Sequence, residues 1–166
     1  MSPLLPVLKQ IVSGGQTGAD RAALDFARAH GIPHGGWCPF GRTAEDGTLD
    51  QCYRLKETPS SSYVQRTEWN VRDSDGTVIF SIAKELFGGS KLTAEFAGRY
   101  KKPWLHLSHA GGVDAAVEKL RQFVGQNKIE VLNVAGPRAS TEPEITGFTR
   151  TVLEVSFKST AQKIRC

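Results

Sequence analysis

Cysteine is scarce in this sequence, and its three residues, Cys38, Cys52 and Cys166, cannot all pair within one chain. No Cys-x-x-Cys and no histidine cluster is present, so no structural zinc site and no metal ligand set is assigned. No apolar run is long enough to span a bilayer. The opening Met1-Ser2-Pro3-Leu4-Leu5-Pro6 lacks the basic leader and long apolar core of a signal peptide. A reduced cytoplasmic setting without a membrane partner is the resulting expectation. Nucleic acid is not expected either: the net charge of +4 is scattered, and no basic stripe or row of stacking aromatics occurs. Two phosphate loops are also missing. Gly14, Gly15 and Gly18 do not fit the Gly-x-Gly-x-x-Gly spacing of dinucleotide sites, and no Gly-Lys-Ser/Thr completes a Walker loop.

What the chain does contain begins at Ser13-Gly14-Gly15-Gln16-Thr17-Gly18-Ala19-Asp20-Arg21. Ile11 and Val12 end a short strand, and helical spacing then places Ala19, Ala22, Ala23, Phe26 and Ala27 on one face. Asp20, Arg21, Asp25 and Arg28 fall largely off that face. Strand, glycine-rich turn and helix N-terminus in this order make an anion site, because backbone amides and the helix dipole both favour negative charge. The alternative is a tight turn alone. Asp20 suits the positive end of the helix, whereas Arg21 opposes it, which points to an anionic neighbour for Arg21.

The 166 residues predict one domain, 1–166, with a core of about 8–157. Strand-like runs recur at Ile11–Val12, Thr77–Phe80, Trp104–Leu107 and Val131–Val134. Helical patterns lie at Tyr63–Arg72, at Leu92–Tyr100 from near Lys91, and along Val113, Ala116, Val117, Leu120 and Val124. A last helix carries Ile145, Phe148, Val152 and Val155 on one face. This alternation predicts an α/β fold with a mostly parallel sheet and helices on both faces. All strand carboxyl ends then share one edge. Two further turns, Gly88-Gly89-Ser90-Lys91-Leu92-Thr93 and Asn133-Val134-Ala135-Gly136-Pro137-Arg138, follow strands, so three turns are expected to line one cleft. Thr17, Ser90, Thr93 and Arg138 are its expected donors. Residues 34–62 are long for a connection and read as a lid or binding segment.

Five stretches in order, IVSGGQTGADRAALDFA, GIPHGGWCPFGRTAEDG, YVQRTEWNVRDSDGTVIF, GGSKLTAEFA and VLNVAGPRAS, make the sequence resemble the molybdenum-cofactor carrier family, within the lysine-decarboxylase-like superfamily. The resemblance runs from Ile11 to about Glu154. It implies a Rossmann-like fold, a homo-oligomer, and binding of molybdenum cofactor (molybdopterin) as cargo through its phosphate and pterin. Proteins that synthesise or accept the cofactor are then partners. On that footing Gly14, Gly15, Gln16, Thr17, Gly18 and Arg21, or Gly88, Gly89, Ser90 and Thr93, are candidates to hold phosphate. Gln16, Asn133 and Asp46 are candidates to read the pterin edge, and Arg42, Lys91 and Arg138 to balance the anionic head beside Gly136. A second reading is hydrolytic. Related phosphoribohydrolases carry an Arg on a helix and Gly-Gly-x-Gly-Thr-x-x-Glu, which Arg66 and Glu95 match in position, while Ser90-Lys91-Leu92-Thr93 and Phe87 depart from that pattern. A nucleotide-sensing module is a third.

Cys38 reads as a small buried hydrophobe or as a residue approaching the ligand. Trp37 and Trp69 read as packing residues or as stacking platforms. Asp73 and Asp75 read as a turn before Gly76, and His34, His106 and His109 as isolated side chains.

Overall fold

The computed structural model describes residues 8–162, with side chains described through Phe157. Strand β1 (Gln10–Val12) leads through the first glycine turn into helix α1 (Ala19–Ala29), and β2 (His34–Gly35) follows. The long connection then carries β3 (Trp37–Cys38), β4 (Thr43–Ala44), β5 (Gly47–Thr48) and β6 (Lys56–Glu57). Helix α2 (Tyr63–Arg72), β7 (Gly76–Ser81), α3 (Gly88–Arg99), β8 (Trp104–Ser108), α4 (Val113–Gln126), β9 (Val131–Ala135) and α5 (Ile145–Gln162) complete the order. Helix α5 thus continues past the expected core boundary at 157. Residues 163–166, Cys166 included, lie outside the described residues.

The central sheet has the order β2-β1-β9-β7-β8, and every pairing in it is parallel. The fold is α/β and Rossmann-like, as expected. The position of β9 matters most. The last strand inserts between β1 and β7, pairing Ile11 with Leu132 and Val78 with Val134. The three strands that end in glycine turns are therefore adjacent, and parallel direction puts all three turns at the same edge.

Strand side chains alternate between faces. Val78, Phe80, Leu132 and Val134 share a core with α1, α4 and α5 residues such as Ala23, Leu120 and Leu153. Thr77, Ile79 and Asn133 belong to the other face, where α2 and α3 pack through Val71, Phe96 and Ala97. Buried at all six positions, β7 carries the apolar run Val78-Ile79-Phe80 at its centre. One strand was not foreseen, and two local expectations need correction. Strand β2 has no apolar run to announce it and exists because Ile11 and Val12 offer it a parallel partner. Helix α3 begins at Gly88, not near Lys91. Val155 is exposed, and the buried face of α5 instead continues through Leu153, Ser156 and Phe157.

The connection 36–62 does not float as a lid. Cys38, Leu49 and Leu55 form a small core with Leu24 of α1. Both polar arms of the Asn70 amide hold β3, accepting from the Trp37 amide at 2.8 Å and donating to the Trp37 carbonyl at 2.9 Å. Cys38 is fully buried, and that burial pushes its thiol up.

Gly136 shows how tightly the turn after β9 sits on its neighbours. A β-carbon there would stand 2.6 Å from Ala19 Cβ and 2.7 Å from the Phe80 carbonyl oxygen. Backbone on one side and a helix on the other leave no room to yield. Gly136→Ala is expected to destabilise the protein by about 1–3 kcal/mol in denaturant unfolding; unchanged stability would mean that the two strands separate freely at this edge.

Candidate functional site

A cleft of about 680 Å³ opens at the carboxyl edge of the sheet, within the usual range for small-molecule sites. Gly14 from the first turn, Gly88, Gly89, Ser90 and Thr93 from the second, and Asn133, Gly136 and Arg138 from the third all line it. Helix α2 closes another side with Tyr63, Arg66 and Asn70. The three turns read from the sequence do meet in one cavity.

Its floor is an ion pair. Arg66 Nη1 donates to Asp20 Oδ2 at 2.8 Å, with Arg66 9% and Asp20 5% exposed. The expectation that Asp20 lies off the buried face of α1 is therefore corrected. Burial pushes its carboxyl up, and Arg66 and the Gln16 amide, which donates at 3.2 Å, pull the other way. Gly14 is what allows the guanidinium this close, because a β-carbon there would sit 1.7 Å from Arg66 Nη1. Removing one partner of such a buried pair costs about 3–5 kcal/mol. Arg66 and Arg138 also each approach the Tyr63 ring, at 5.2 and 5.4 Å to its centroid. The shared aromatic ring interacts favourably with both cations. Among the described residues Arg138 has no salt-bridge partner.

The two helix N-termini differ. Around the first turn, the Gln16 amide donates to Asp20, the Thr17 amide to Gln16 Oε1 at 3.1 Å, and the Ala19 amide to the Pro137 carbonyl at 3.4 Å. Much of its donor capacity is used within the protein. At α3 the N-cap is Phe87, whose side chain makes no capping hydrogen bond. The Gly88 and Gly89 end of that helix faces the cleft with the positive end of its dipole uncapped. Ser90 is buried in the lining, while Thr93 spends its hydroxyl proton on the Gly89 carbonyl at 2.8 Å. Asn133 Nδ2 donates to Thr77 Oγ1 at 3.1 Å.

Other candidates lie elsewhere. Arg21 makes two bonds to Asp46, at 3.0 and 3.1 Å, and reaches the Gly15 carbonyl at 3.1 Å. Asp46 is the anionic neighbour expected for Arg21, and the pair lies outside the lining. Arg42 holds the carbonyls of Asp50 and Tyr53 at 3.0 and 2.7 Å and so shapes the long connection. Lys91 is exposed outside the cleft, as is Glu95, so the structure brings Arg66 but not Glu95 to this site. Gly15 and Gly18 have φ of +82° and +86°, and their missing side chains make room for Leu49 and for the Pro137 carbonyl rather than for a ligand. Trp37 and Trp69 pack edge to face at 4.8 Å, and Asp75 accepts from the Glu130 and Val131 amides, fixing the start of β9. Among the described residues no group of three potential metal ligands occurs.

Sequence reasoning missed Glu45. Its carboxylate accepts hydrogen bonds from the hydroxyls of Thr17 and Ser140 and from the Ser140 amide at 3.2 Å. One side chain of the β4–β5 hairpin thus ties the first turn to the third. Those hydrogen bonds, from Ser140 first and then Thr17, hold its carboxyl below its ordinary value of 4.5.

The fold and site define a class: a Rossmann-like protein with a glycine-lined cleft, holding Arg66 and Arg138, at the carboxyl edge of a parallel sheet. Residues 11–157 match the circularly permutated YpsA SLOG family, and the chain belongs to it. No curated protein matches the sequence. Among solved structures the chain is similar to that of a protein from Syntrophus aciditrophicus SB described as "Putative molybdenum carrier protein". The two are 51% identical with a TM-score of 0.89, over 91% of this chain and 96% of that one.

The depressed Glu45 carboxyl gives a pH test. Its contribution is complete above pH 4.5 and is lost as pH falls through the lower folded-state value. The Ser140 amide resonance is expected to titrate with a midpoint below 4.5, and the step to vanish in Glu45→Gln. A midpoint at or above 4.5 would contradict the latch.

Proposed function

We propose that this protein binds molybdenum cofactor as cargo and carries it without reacting it. The observation that carries this reading is the meeting of three glycine turns in one cleft that holds Arg138, without a salt bridge among the described residues, and the uncapped N-terminus of α3. The cargo has a terminal phosphate, a hydrogen-bonding pterin and an anionic dithiolene head. The α3 amides, Ser90 and Arg138 suit the phosphate, since aligned amides and a guanidinium both favour an oxyanion. Arg66 and Gln16 offer hydrogen bonds to the ring system. The name of the 51% identical protein supports the same cargo.

A carrier needs no nucleophile, and the lining gives little support to a hydrolytic alternative. Among the described residues Asp20 is its only carboxylate, and it is already engaged by Arg66. Homo-oligomer formation, a cytoplasmic setting, and cofactor-synthesising or cofactor-accepting partners belong to the same proposal.

The test is retention. Protein incubated with molybdenum cofactor and desalted is expected to keep about one cofactor per chain, read from pterin fluorescence after oxidation. Arg138→Ala is expected to weaken binding by about tenfold or more, whereas Lys119→Ala, on the exposed side of α4, leaves it unchanged. No retention by the wild-type chain, or equal binding by the Arg138 variant, would overturn the reading.

A further inference from the structure

The backbone of Arg138 is pinned. Its carbonyl accepts from the Thr141 and Glu142 amides, each at 3.1 Å, and the next residue, Ala139, donates its amide to Thr17 Oγ1 at 3.2 Å. Its half-buried side chain, by contrast, makes no salt bridge among the described residues. A long arginine side chain without an anchor at its tip samples many rotamers, and ordering it when a ligand binds costs free energy. What meets the tip is the Tyr63 ring, whose centroid lies 5.4 Å from Arg138 Cζ.

The ring is held in turn. Tyr63 opens α2, where Ser62 caps the helix by accepting from the Val64 amide and the Thr67 hydroxyl donates to the Tyr63 carbonyl at 2.8 Å. One helical turn on, Arg66 Cζ lies 5.2 Å from the same centroid, and Asp20 anchors Arg66 beneath the cleft. Position therefore passes from a buried ion pair, through a ring, to a guanidinium on another element. The means of holding matters as much as the place. An aromatic ring attracts a cation through its quadrupole and carries no net charge, so it places a guanidinium without neutralising it. A carboxylate at position 63 would hold Arg138 and cancel the charge that an oxyanion needs. Glu45 senses the charge of Arg138 but gives its own carboxylate to Thr17 and Ser140.

We infer that Tyr63 is a positioning residue of this cleft: its ring holds the Arg138 guanidinium ready for a phosphate while leaving the positive charge unspent. This rests on the reading of the cleft as the holder of a phosphate-bearing cargo, and it adds what readies the cation before the cargo arrives.

The probe is 6-hydroxymethylpterin phosphate, which is fluorescent, titrated into the full chain. Tyr63→Phe keeps the ring and is expected to bind within about twofold of wild type, whereas Tyr63→Leu keeps bulk without a π face and is expected to bind about three- to tenfold more weakly. In an Arg138→Ala background Tyr63→Leu is expected to cost nothing further, because the ring then has no unneutralised cation to place. A loss that ran through Arg66 instead would persist in that background. In the ligand-free wild-type chain the Arg138 Nε–H proton resonance, assigned by its absence from Arg138→Ala, is expected upfield of its ordinary position through the ring current. Equal binding by Tyr63→Leu, an equal loss in the Arg138→Ala background, or an unshifted wild-type resonance overturns the inference and leaves the carrier reading standing. Failure of the probe to bind the wild-type chain overturns the two together. The wild-type resonance needs no change at position 63, so it decides the matter even if Tyr63→Leu does not fold.

Discussion

The parallel pairing of β9 between β1 and β7 is the constraint on which the rest of this protein depends. With β9 at either edge of the sheet, beyond β2 or β8, its turn would be separated from those after Val12 and Ser81 by at least one intervening strand. Their adjacency brings the Pro137 carbonyl to the Ala19 amide, brings the Thr17 hydroxyl to the Ala139 amide at 3.2 Å, and leaves only hydrogen atoms of room at Gly18 and Gly136. These contacts join residues more than a hundred positions apart. The cleft is thus a property of the topology before it is a property of any side chain.

On that frame the electrostatics divide into two kinds. Arg66 is a structural cation: Asp20 neutralises it, Gly14 makes room for it, and it locks α1 to α2 beneath the cleft. Among the described residues Arg138 has no such partner, and it shares the Tyr63 ring with Arg66. A free cation beside an uncapped helix N-terminus is where an incoming anion gains most. The first glycine turn, which looks from its sequence like the principal anion loop, spends its amides on Asp20, Gln16 and Pro137. Through Gln16 and Asp20 it contributes one wall of the cleft.

Most of the architecture was legible in the chain because it is carried by local patterns. Apolar runs marked β1, β7, β8 and β9, and helical spacing located α1, α2 and α4 closely, since both periods reflect one buried face. Parallel geometry then allowed three separated turns to be placed together. What escaped notice has no local signature. The Asp20–Arg66 pair joins positions 46 apart, and Glu45 reaches Thr17 and Ser140 across 28 and 95 positions. Strand β2 is two residues long and borrows its conformation from β1. Residue type also misled where a charged side chain served the fold. Arg21 and Asp46 look like ligand contacts and instead bond to each other, and Arg42 holds main-chain carbonyls of its own loop.

The division between a wall-forming first turn and a phosphate-holding α3 is tested most directly by a crystal structure with a phosphorylated pterin bound. The account predicts the phosphate at the Gly88-Gly89-Ser90 end of α3, within reach of the Arg138 guanidinium, with Gln16 unmoved. Phosphate density cradled by the amides of Gln16, Thr17 and Gly18, or outside the cleft altogether, would contradict it.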